Sequence, residues 1–590
     1  MAFFNLDEKS LLGSVLSVDT GSVVVSISET LNLRKCQVNQ LVVLKSPKPG
    51  QNLIGLINRI TRKLVDSDIN PEHVSQSELE SGLVENLMKI TLIGTFFEMK
   101  GTVANQFRRN LDAVPEIDAS CYALEGEMIG KFMSAISAQD KAGTIPLSIG
   151  SYTLDDSAKA YINGDKLFQR HAVIVGSTGS GKSWCVAKLV EQIADLPMGN
   201  CILFDIHGEY SQPGFKKEGI EHYRIATPGD LVNEDKLSSH ILMLPYWLLT
   251  YEEMIALMLD RSDSNAPNQA MLFAKSVREK KEEYLTSSTE PELLATFTLD
   301  SPVPYKLQEV LDQLNALDTE REAGAKAGTE KNGPFNGKLT RFIQRLEAKL
   351  QDKRLGFLFA LKEQELQLEW MDLFCSALMK GRSTHGSASV KIIDFSEVPS
   401  DILPLVIGLV SRIIFSIQQW SISATRHPIA LFCDEAHLYV PERTVADQVA
   451  EISLGTFERI SKEGRKYGVS LVIISQRPSE VNRTVLSQCN NFLSLRLTNA
   501  DDQAVIKKLL PDNLTGLTDV LPILDIGEVL VVGDACLLPS RINIDAPSIK
   551  PESGTVNFWE AWSKADFDQK IGDAVRSMRK QSKLVSADVN

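Results

Sequence analysis

Several things are scarce in this chain. No run of eighteen consecutive apolar residues occurs in its 590 residues, so no membrane-crossing helix and no membrane partner are expected. The opening MAFFNLDEKS has no basic segment backed by an apolar run, which argues against a secretory signal. No two cysteines form a CxxC pair: Cys36, Cys121, Cys185, Cys201, Cys375, Cys433, Cys489 and Cys536 stand apart, several inside apolar strand-like runs. That scatter fits buried, reduced thiols and a cytoplasmic location. A basic excess is also missing, since 62 Lys and Arg face 76 Asp and Glu, a net charge of −14. Alone this speaks against a nucleic-acid partner. A ring, however, can keep a basic channel behind an acidic outer surface, and net charge averages over both. What remains is a globular composition, 43% hydrophobic and 23% charged, in a chain long enough for two or three domains.

From Leu11 to about Ile93 the pattern is β-like. SVLSVDTGSVVVSIS alternates apolar and polar residues around Asp19-Thr20-Gly21, a hairpin signal. Further short strands follow in NQLVVLKSPKPGQNLIGLINRI and MKITLIGTFFEMKG, interrupted by a polar stretch, Ser67 to Gly82, that reads as a surface loop. A small β-barrel is expected, with its linker reaching residue 150. From His171 the chain alternates apolar runs with helical stretches: HAVIVG, NCILFDI, VKIIDF, PIALFCDEA, VSLVIISQ, NFLSLRL and EVLVVG. This is the signature of an α/β fold, a parallel sheet covered by helices. The core is expected in two parts, 151–250 and 386–548, split by a charged helical insertion over 251–385. Within that insertion TEREAGAKAGTEKNGPFNGK reads as a mobile loop. In 549–590, Phe558, Trp562, Phe567, Ile571, Val575 and Met578 recur at mostly four-residue steps, predicting one amphipathic helix before a frayed tail.

The strongest motif is Gly176-Ser177-Thr178-Gly179-Ser180-Gly181-Lys182-Ser183, which fits GxxxxGK[ST] without a mismatch. It follows an apolar strand and opens a helix, as a phosphate cradle requires. Glycines let successive N–H groups turn onto phosphate oxygens, and the helix N-terminus adds partial positive charge. Lys182 would reach the β- and γ-phosphates of ATP, Ser183 would ligate Mg²⁺, and the binding segment is taken to extend to Trp184.

Metal and water need carboxylates at a strand end, and PIALFCDEAHLY supplies Asp434 and Glu435. Asp434 would hold Mg²⁺ through a water, and Glu435 would polarise the attacking water. The spelling Asp434-Glu435-Ala436-His437 matches a helicase box. Yet Ser423-Ala424-Thr425 lies before it rather than after, and the gap from Lys182 is far too long for that superfamily. The next apolar run ends in Ser475-Gln476-Arg477, where Gln476 would sense the γ-phosphate. His437 would relay nucleotide state or serve as a structural histidine. Lys338, Arg341, Arg345, Lys349, Lys353 and Arg354 are interspersed with acids and read as a solvated face.

QRHAVIVGSTGSGKS, FDIHGEY, LPYWLLTYEEM, CDEAHLYVP, EGRKYGVSLVIISQRPSEV and GEVLVVGDACLLPSRI occur in the order seen in HerA proteins. The chain resembles that family of hexameric DNA translocases, related to FtsK, over nearly its whole length apart from the insertion and the tail. The resemblance implies a RecA-like P-loop ATPase preceded by a HerA-type barrel, assembled as a homo-hexamer around double-stranded DNA. It implies that Arg170 and Arg465 reach the nucleotide of the adjacent subunit, with Arg459 the fallback for Arg465. Asp205 and Glu209, in FDIHGEY, would shape the site or its interface. It also implies an effector partner, a nuclease or a sirtuin-like defence enzyme, docked through the barrel. Two alternatives stay open: a nucleotide-regulated ring scaffold that activates an effector, and a VirB4-like secretion or conjugation ATPase.

Overall fold

The structure is a computed structural model. It describes residues 3–4, 6–27, 30–38, 40–64, 84–98, 106–137, 145–153, 155–232, 239–288, 290–323, 330–381, 388–443, 448–510, 512–536, 538–554, 557–563 and 571–581. The expected loop over 67–82 and the tail beyond 581 lie outside the described residues. The chain forms two compact units. The first comprises Met1–Gln192, Ser475–Ser479 and Leu486–Ser548; the second comprises Ile193–Ile474, Glu480–Val485 and Ile549–Asn590.

The first unit begins with seven strands: β1 (Leu11–Asp19), β2 (Ser22–Ser26), β3 (Leu41–Lys45), β4 (Gln51–Leu64), β5 (Val84–Phe97), β6 (Gln106–Arg108) and β7 (Ser120–Ala123). Six of them close in the order β2-β1-β7-β3-β4-β5, because β2 also pairs with β5, and β6 continues from β5 outside the ring. Every pairing is antiparallel. The alternation anticipated around Asp19-Thr20-Gly21 is the β1–β2 hairpin, and the Asp19 carboxylate accepts the Thr20 N–H at 2.7 Å. Inward residues fill the barrel completely, among them Val15, Val25, Val42, Leu53, Ile57 and Ile90. Such a core is a packed interior rather than a channel. Gly13 sits where a Cβ would strike the Ser26 carbonyl, beside a register shift in β1, so this crossing needs a residue without a side chain.

The same unit carries a second sheet. Ala172–Val175 pairs in parallel with Asn491–Ser494. Beyond it the strands turn antiparallel: Glu528–Gly533, Ser540–Ile544, Leu147–Tyr152 and Asp155–Ile162. The expectation of a purely parallel sheet is therefore corrected at EVLVVG. Only a short connection separates Glu528–Gly533 from Ser540–Ile544, and a short link joins neighbouring strands only if they run antiparallel.

The second unit holds a parallel sheet in the order Ile241–Leu242, Ile220–Ile225, Val390–Asp394, Cys201–Asp205, Ile429–Cys433 and Val469–Ser475. Its central strands are buried along nearly their whole length, which explains their unbroken apolar runs. Helix Leu403–Trp420 is long and apolar enough to cross a membrane by length and composition, but most of it is buried in this unit, against helix Gln448–Tyr467. Its one cation, Arg412, is paired with the buried Glu253 at 2.8 Å and donates to the Leu248 carbonyl at 2.7 Å. Glu253 also completes a capping box with Thr250 at the start of helix Tyr251–Met258.

The insertion is helical as expected, with Ala266–Ser287, Leu307–Thr319, Thr340–Gln351 and Glu369–Met379. Its middle departs from the expected loop: Arg321–Ala323 and Glu330–Asn332 pair as an antiparallel ribbon, reinforced by Lys331–Glu322 at 2.9 Å. Cross-strand charge pairs of this kind are hard to read in a polar stretch that has no apolar alternation. The single C-terminal helix is also corrected. Two helices, Phe558–Trp562 and Ile571–Lys580, stand on either side of 564–570, and Phe567 lies outside the described residues. The other five residues of the anticipated apolar stripe are exposed.

Candidate functional site

In the first unit the buried strand Ala172–Val175 runs directly into the glycine loop, and helix Lys182–Ala194 leaves it. Gly179 and Gly181 have φ of +74° and +98°, a region closed to most side chains. A Cβ on Gly181 would lie 3.1 Å from the Gly527 backbone, and the Gly527 N–H donates to the Ser180 carbonyl at 3.0 Å. Residue 527 thus clamps the loop. At its other end, Ser177 N–H donates to the Arg496 carbonyl at 2.8 Å, and the Ser177 hydroxyl accepts the Thr498 N–H at 3.2 Å. Lys182 is buried, and the Ser180 hydroxyl is buried without a hydrogen-bond partner. This hydroxyl fills the space where a Cβ on Gly176 would fall, so the turn needs glycine at 176. Gln476 belongs to this unit, and its amide oxygen accepts the Thr178 hydroxyl at 2.6 Å. The structure therefore brings the expected sensor onto the loop itself.

Two features here were not legible beforehand. Asn491 is 1% exposed, and its amide donates to the carbonyls of Lys166 at 3.0 Å, Leu167 at 3.3 Å and His171 at 3.1 Å. Its oxygen accepts the Ala535 N–H at 2.7 Å. One side chain thus fastens the end of helix Gly164–Gln169, the start of the loop strand and the Gly533–Ala535 turn. His171, which opens that strand, holds a left-handed φ of 53°. The second feature is Asp534. It ion-pairs with Arg170, lies 3.7 Å from Arg109, and receives Asn490 at 3.4 Å. Arg170, expected to face a neighbouring subunit, is held within its own unit in this structure.

In the second unit Asp434 and Glu435 follow strand Ile429–Cys433, each 3% exposed. Glu435 takes a left-handed backbone, φ 44° and ψ 46°, which costs a non-glycine residue of order 1–3 kcal/mol and points to function. Its carboxylate lies 3.3 Å from His437 Nδ1. The buried Tyr439 hydroxyl donates to the Asp434 carbonyl at 2.9 Å, pinning the turn. So His437 sits against the candidate base. Strand register places Asp205 level with Asp394, while Phe204 pairs with Cys433, so Asp394, Asp205 and Asp434 line the carboxyl ends of three neighbouring strands. Asp205 accepts N–H groups of Glu209 at 3.0 Å and Tyr210 at 2.9 Å and the Ser211 hydroxyl at 2.7 Å. Burial, aided by Asp394, pushes its carboxyl up to about 6 against those hydrogen bonds. It ties down the loop that carries Glu209.

Arg459 and Arg465 both lie on helix Gln448–Tyr467. Arg459 is engaged locally: its guanidinium stacks 5.2 Å over the Phe415 ring, donates to Gln419 at 3.0 Å and lies 3.8 Å from Glu463. Arg465 is exposed in the last turn, and no ion pair or side-chain hydrogen bond ties it down among the described residues.

The family model described as "Helicase HerA, central domain" matches residues 147–414. The DNA double-strand break repair helicase HerA of Sulfolobus acidocaldarius is 26% identical over 405 residues, 68% of this chain and 70% of that protein. A probable helicase of Methanocaldococcus jannaschii is 24% identical over 564 residues, 90% of this chain and 96% of that protein. Among solved structures, VirB4 of Thermoanaerobacter pseudethanolicus aligns with a TM-score of 0.43 at 17% identity, covering 69% of this chain and 98% of that one.

Proposed function

We propose that the chain, whose residues 147–414 match the model of the HerA central domain, is an ATP-driven, ring-forming DNA translocase or helicase acting with an effector partner. The chain is a P-loop ATP hydrolase whose cofactors are ATP and Mg²⁺. In the first unit, Gly176–Ser183 cradles phosphate oxygens, Lys182 neutralises the β- and γ-phosphates, and Gln476 reads the γ-phosphate from its anchor on Thr178. In the first unit Ser183 is the expected Mg²⁺ ligand, and in the second the strand-end Asp434 is a candidate ligand by its motif; Mg²⁺ supplies charge neutralisation during phosphoryl transfer. Glu435, fixed by its turn and flanked by His437, takes the proton of the attacking water.

The observation that carries the ring reading is the contrast between the two arginines of helix Gln448–Tyr467. Arg459 is occupied by Phe415, Gln419 and Glu463, whereas Arg465 is exposed and, among the described residues, has no ion pair or side-chain hydrogen bond. A guanidinium that completes a neighbour's site must be available at the surface of the lone subunit. Arg465 meets that condition. Within the ring, duplex DNA is gripped through its phosphates with little sequence reading. The eight cysteines are all free thiols, in keeping with work in the cytoplasm. The effector, a nuclease or a sirtuin-like enzyme, docks through the barrel.

The test is ATP turnover by the assembled protein. Glu435→Gln and Arg465→Ala each abolish turnover while sparing ATP binding. Mixing Arg465→Ala with Lys182→Ala subunits restores part of the activity, because some interfaces then pair an intact loop with an intact arginine. Duplex DNA stimulates wild-type turnover, with activation falling steeply as salt rises. Full-speed hydrolysis by a dilute monomer would sink the ring reading, and indifference to duplex at every salt concentration would favour the scaffold.

A further inference from the structure

Ligand-binding grooves are lined by exposed apolar side chains. In the first unit, two such side chains lie on segments that form or touch the phosphate loop. Trp184, the residue after Ser183, is 37% exposed, although Cys185, Val186 and Ala187 behind it on the same helix are wholly buried. Ile526 is 71% exposed. Ile526 immediately precedes Gly527, whose backbone lies against Gly181 and donates to Ser180. The segment that touches the loop therefore carries an exposed isoleucine, and the helix leaving the loop carries an exposed indole. Both belong to one unit.

A nucleoside triphosphate held by the loop has its β- and γ-phosphates at Lys182 and its α-phosphate toward the start of the helix. Ribose and base must project past the α-phosphate, close to the residue that follows Ser183. We infer that Trp184 and Ile526 grip the base of the bound nucleotide by stacking and apolar contact, so that the site selects purines over pyrimidines by area. This rests on the nucleotide reading above and adds to it the part of the substrate that the phosphate loop does not recognise. A flat aromatic face is indifferent to which hydrogen-bonding groups a base carries, so ATP and GTP bind comparably and CTP more weakly.

Equilibrium binding to the full chain tests this with four probes: ATP, GTP, CTP and inorganic tripolyphosphate, which has no base. Trp184→Ala weakens ATP and GTP roughly 5- to 150-fold, the range of one base–aromatic stack. It weakens CTP less, and leaves tripolyphosphate within about twofold. Trp184→Phe recovers most of the loss, and Ile526→Ala gives a smaller loss with the same pattern. Equal weakening of all four probes would mean damage to the loop, and no change in any would place the base elsewhere; either overturns the inference. Unchanged affinities with loss of assembly would overturn it too, by making the patch a subunit contact. The nucleotide reading fails separately, if Lys182→Ala retains wild-type affinity for both ATP and tripolyphosphate.

Discussion

Asn491→Leu removes the fastening at the base of the phosphate loop while keeping the side-chain volume. In the native unit the amide supplies two N–H groups to three carbonyls, those of Lys166, Leu167 and His171, and its oxygen takes the Ala535 N–H. The Lys166 and Leu167 carbonyls sit at the end of helix Gly164–Gln169, where intrahelical partners run out. Leucine leaves these groups facing apolar surface at a site that is 1% exposed. Each buried polar group left unsatisfied costs about 1–3 kcal/mol, and because three carbonyls share two donors the losses do not add in full. A total of about 3–5 kcal/mol follows, falling on the strand that leads into the loop. With two units the chain is not a two-state folder, so a global midpoint is a poor readout. Native-state hydrogen exchange of the Ala172–Val175 amides reads the local opening directly. Protection there should drop by roughly two to three and a half powers of ten, while Asn490→Ala leaves it nearly unchanged. A drop of less than tenfold in Asn491→Leu would refute the argument, because it would mean that the carbonyls find other partners at no cost.

Arg412→Ala strands the Glu253 carboxylate, 3% exposed on its side chain, and should lower hydrogen-exchange protection of the Leu403–Trp420 amides by about 3–5 kcal/mol; Glu253→Gln with Arg412→Met should restore much of it. Arg459→Ala loses the stack on Phe415 and the Gln419 bond and should cost about 1 kcal/mol of exchange protection in helix Gln448–Tyr467, with turnover of the assembled protein within threefold of wild type. Asp205 titrates in the unusual direction. Burial raises its folded value to about 6, so between the unfolded value near 4 and about pH 6 the native state binds more protons than the unfolded one, and stability falls as pH rises through that window. Local exchange protection in Cys201–Asp205 should therefore be higher at pH 5 than at pH 7.5, by about 1.4 kcal/mol, and Asp205→Asn should remove the dependence; a rise in protection with pH would contradict it.

What the sequence made legible was whatever local chemistry decides alone. The β1–β2 hairpin follows from alternation and an Asp-Thr-Gly turn. The phosphate loop follows from glycines at positions that the structure shows to need positive φ. Asp434 and Glu435 follow from an apolar run that ends in acid. What stayed hidden depends on partners distant in the chain. Asn491 looks like an ordinary polar residue ahead of a strand until residues 166, 167, 171 and 535 surround it. That Arg459 is engaged while Arg465 is exposed could not be read from one helix, since Phe415 and Gln419 belong to another. Antiparallel pairing at Glu528–Gly533 is a property of connection geometry, which hydrophobic runs do not encode. Asp205 was flagged without a role because its function is to receive three donors from the loop that follows it, and the spacing of FDIHGEY alone does not reveal that.

Arg170 poses a last problem, because it is tethered where, among the described residues, Arg465 is not. To serve a neighbouring subunit it must leave Asp534, and the cost of leaving decides whether the assignment survives. Arg170 and Asp534 side chains are 40% and 31% exposed, so their attraction is screened by water and worth at most about 1 kcal/mol. A hydrogen bond from a guanidinium to a phosphate is worth about 1.5–3 kcal/mol. The exchange is therefore favourable for Arg170. Asp534 also does not end up unpaired, since Arg109 lies 3.7 Å away and Asn490 3.4 Å away. On this reasoning the tether parks the arginine in the lone subunit without restraining it in the ring. Asp534→Asn should leave turnover of the assembled protein within about threefold of wild type, whereas Arg170→Ala should lower it at least a hundredfold with ATP affinity nearly intact. A comparable collapse in Asp534→Asn would show that the carboxylate orients Arg170 during turnover. Normal turnover in Arg170→Ala would show that the pair with Asp534 is its whole role, leaving Arg465 as the arginine that completes the neighbour's site.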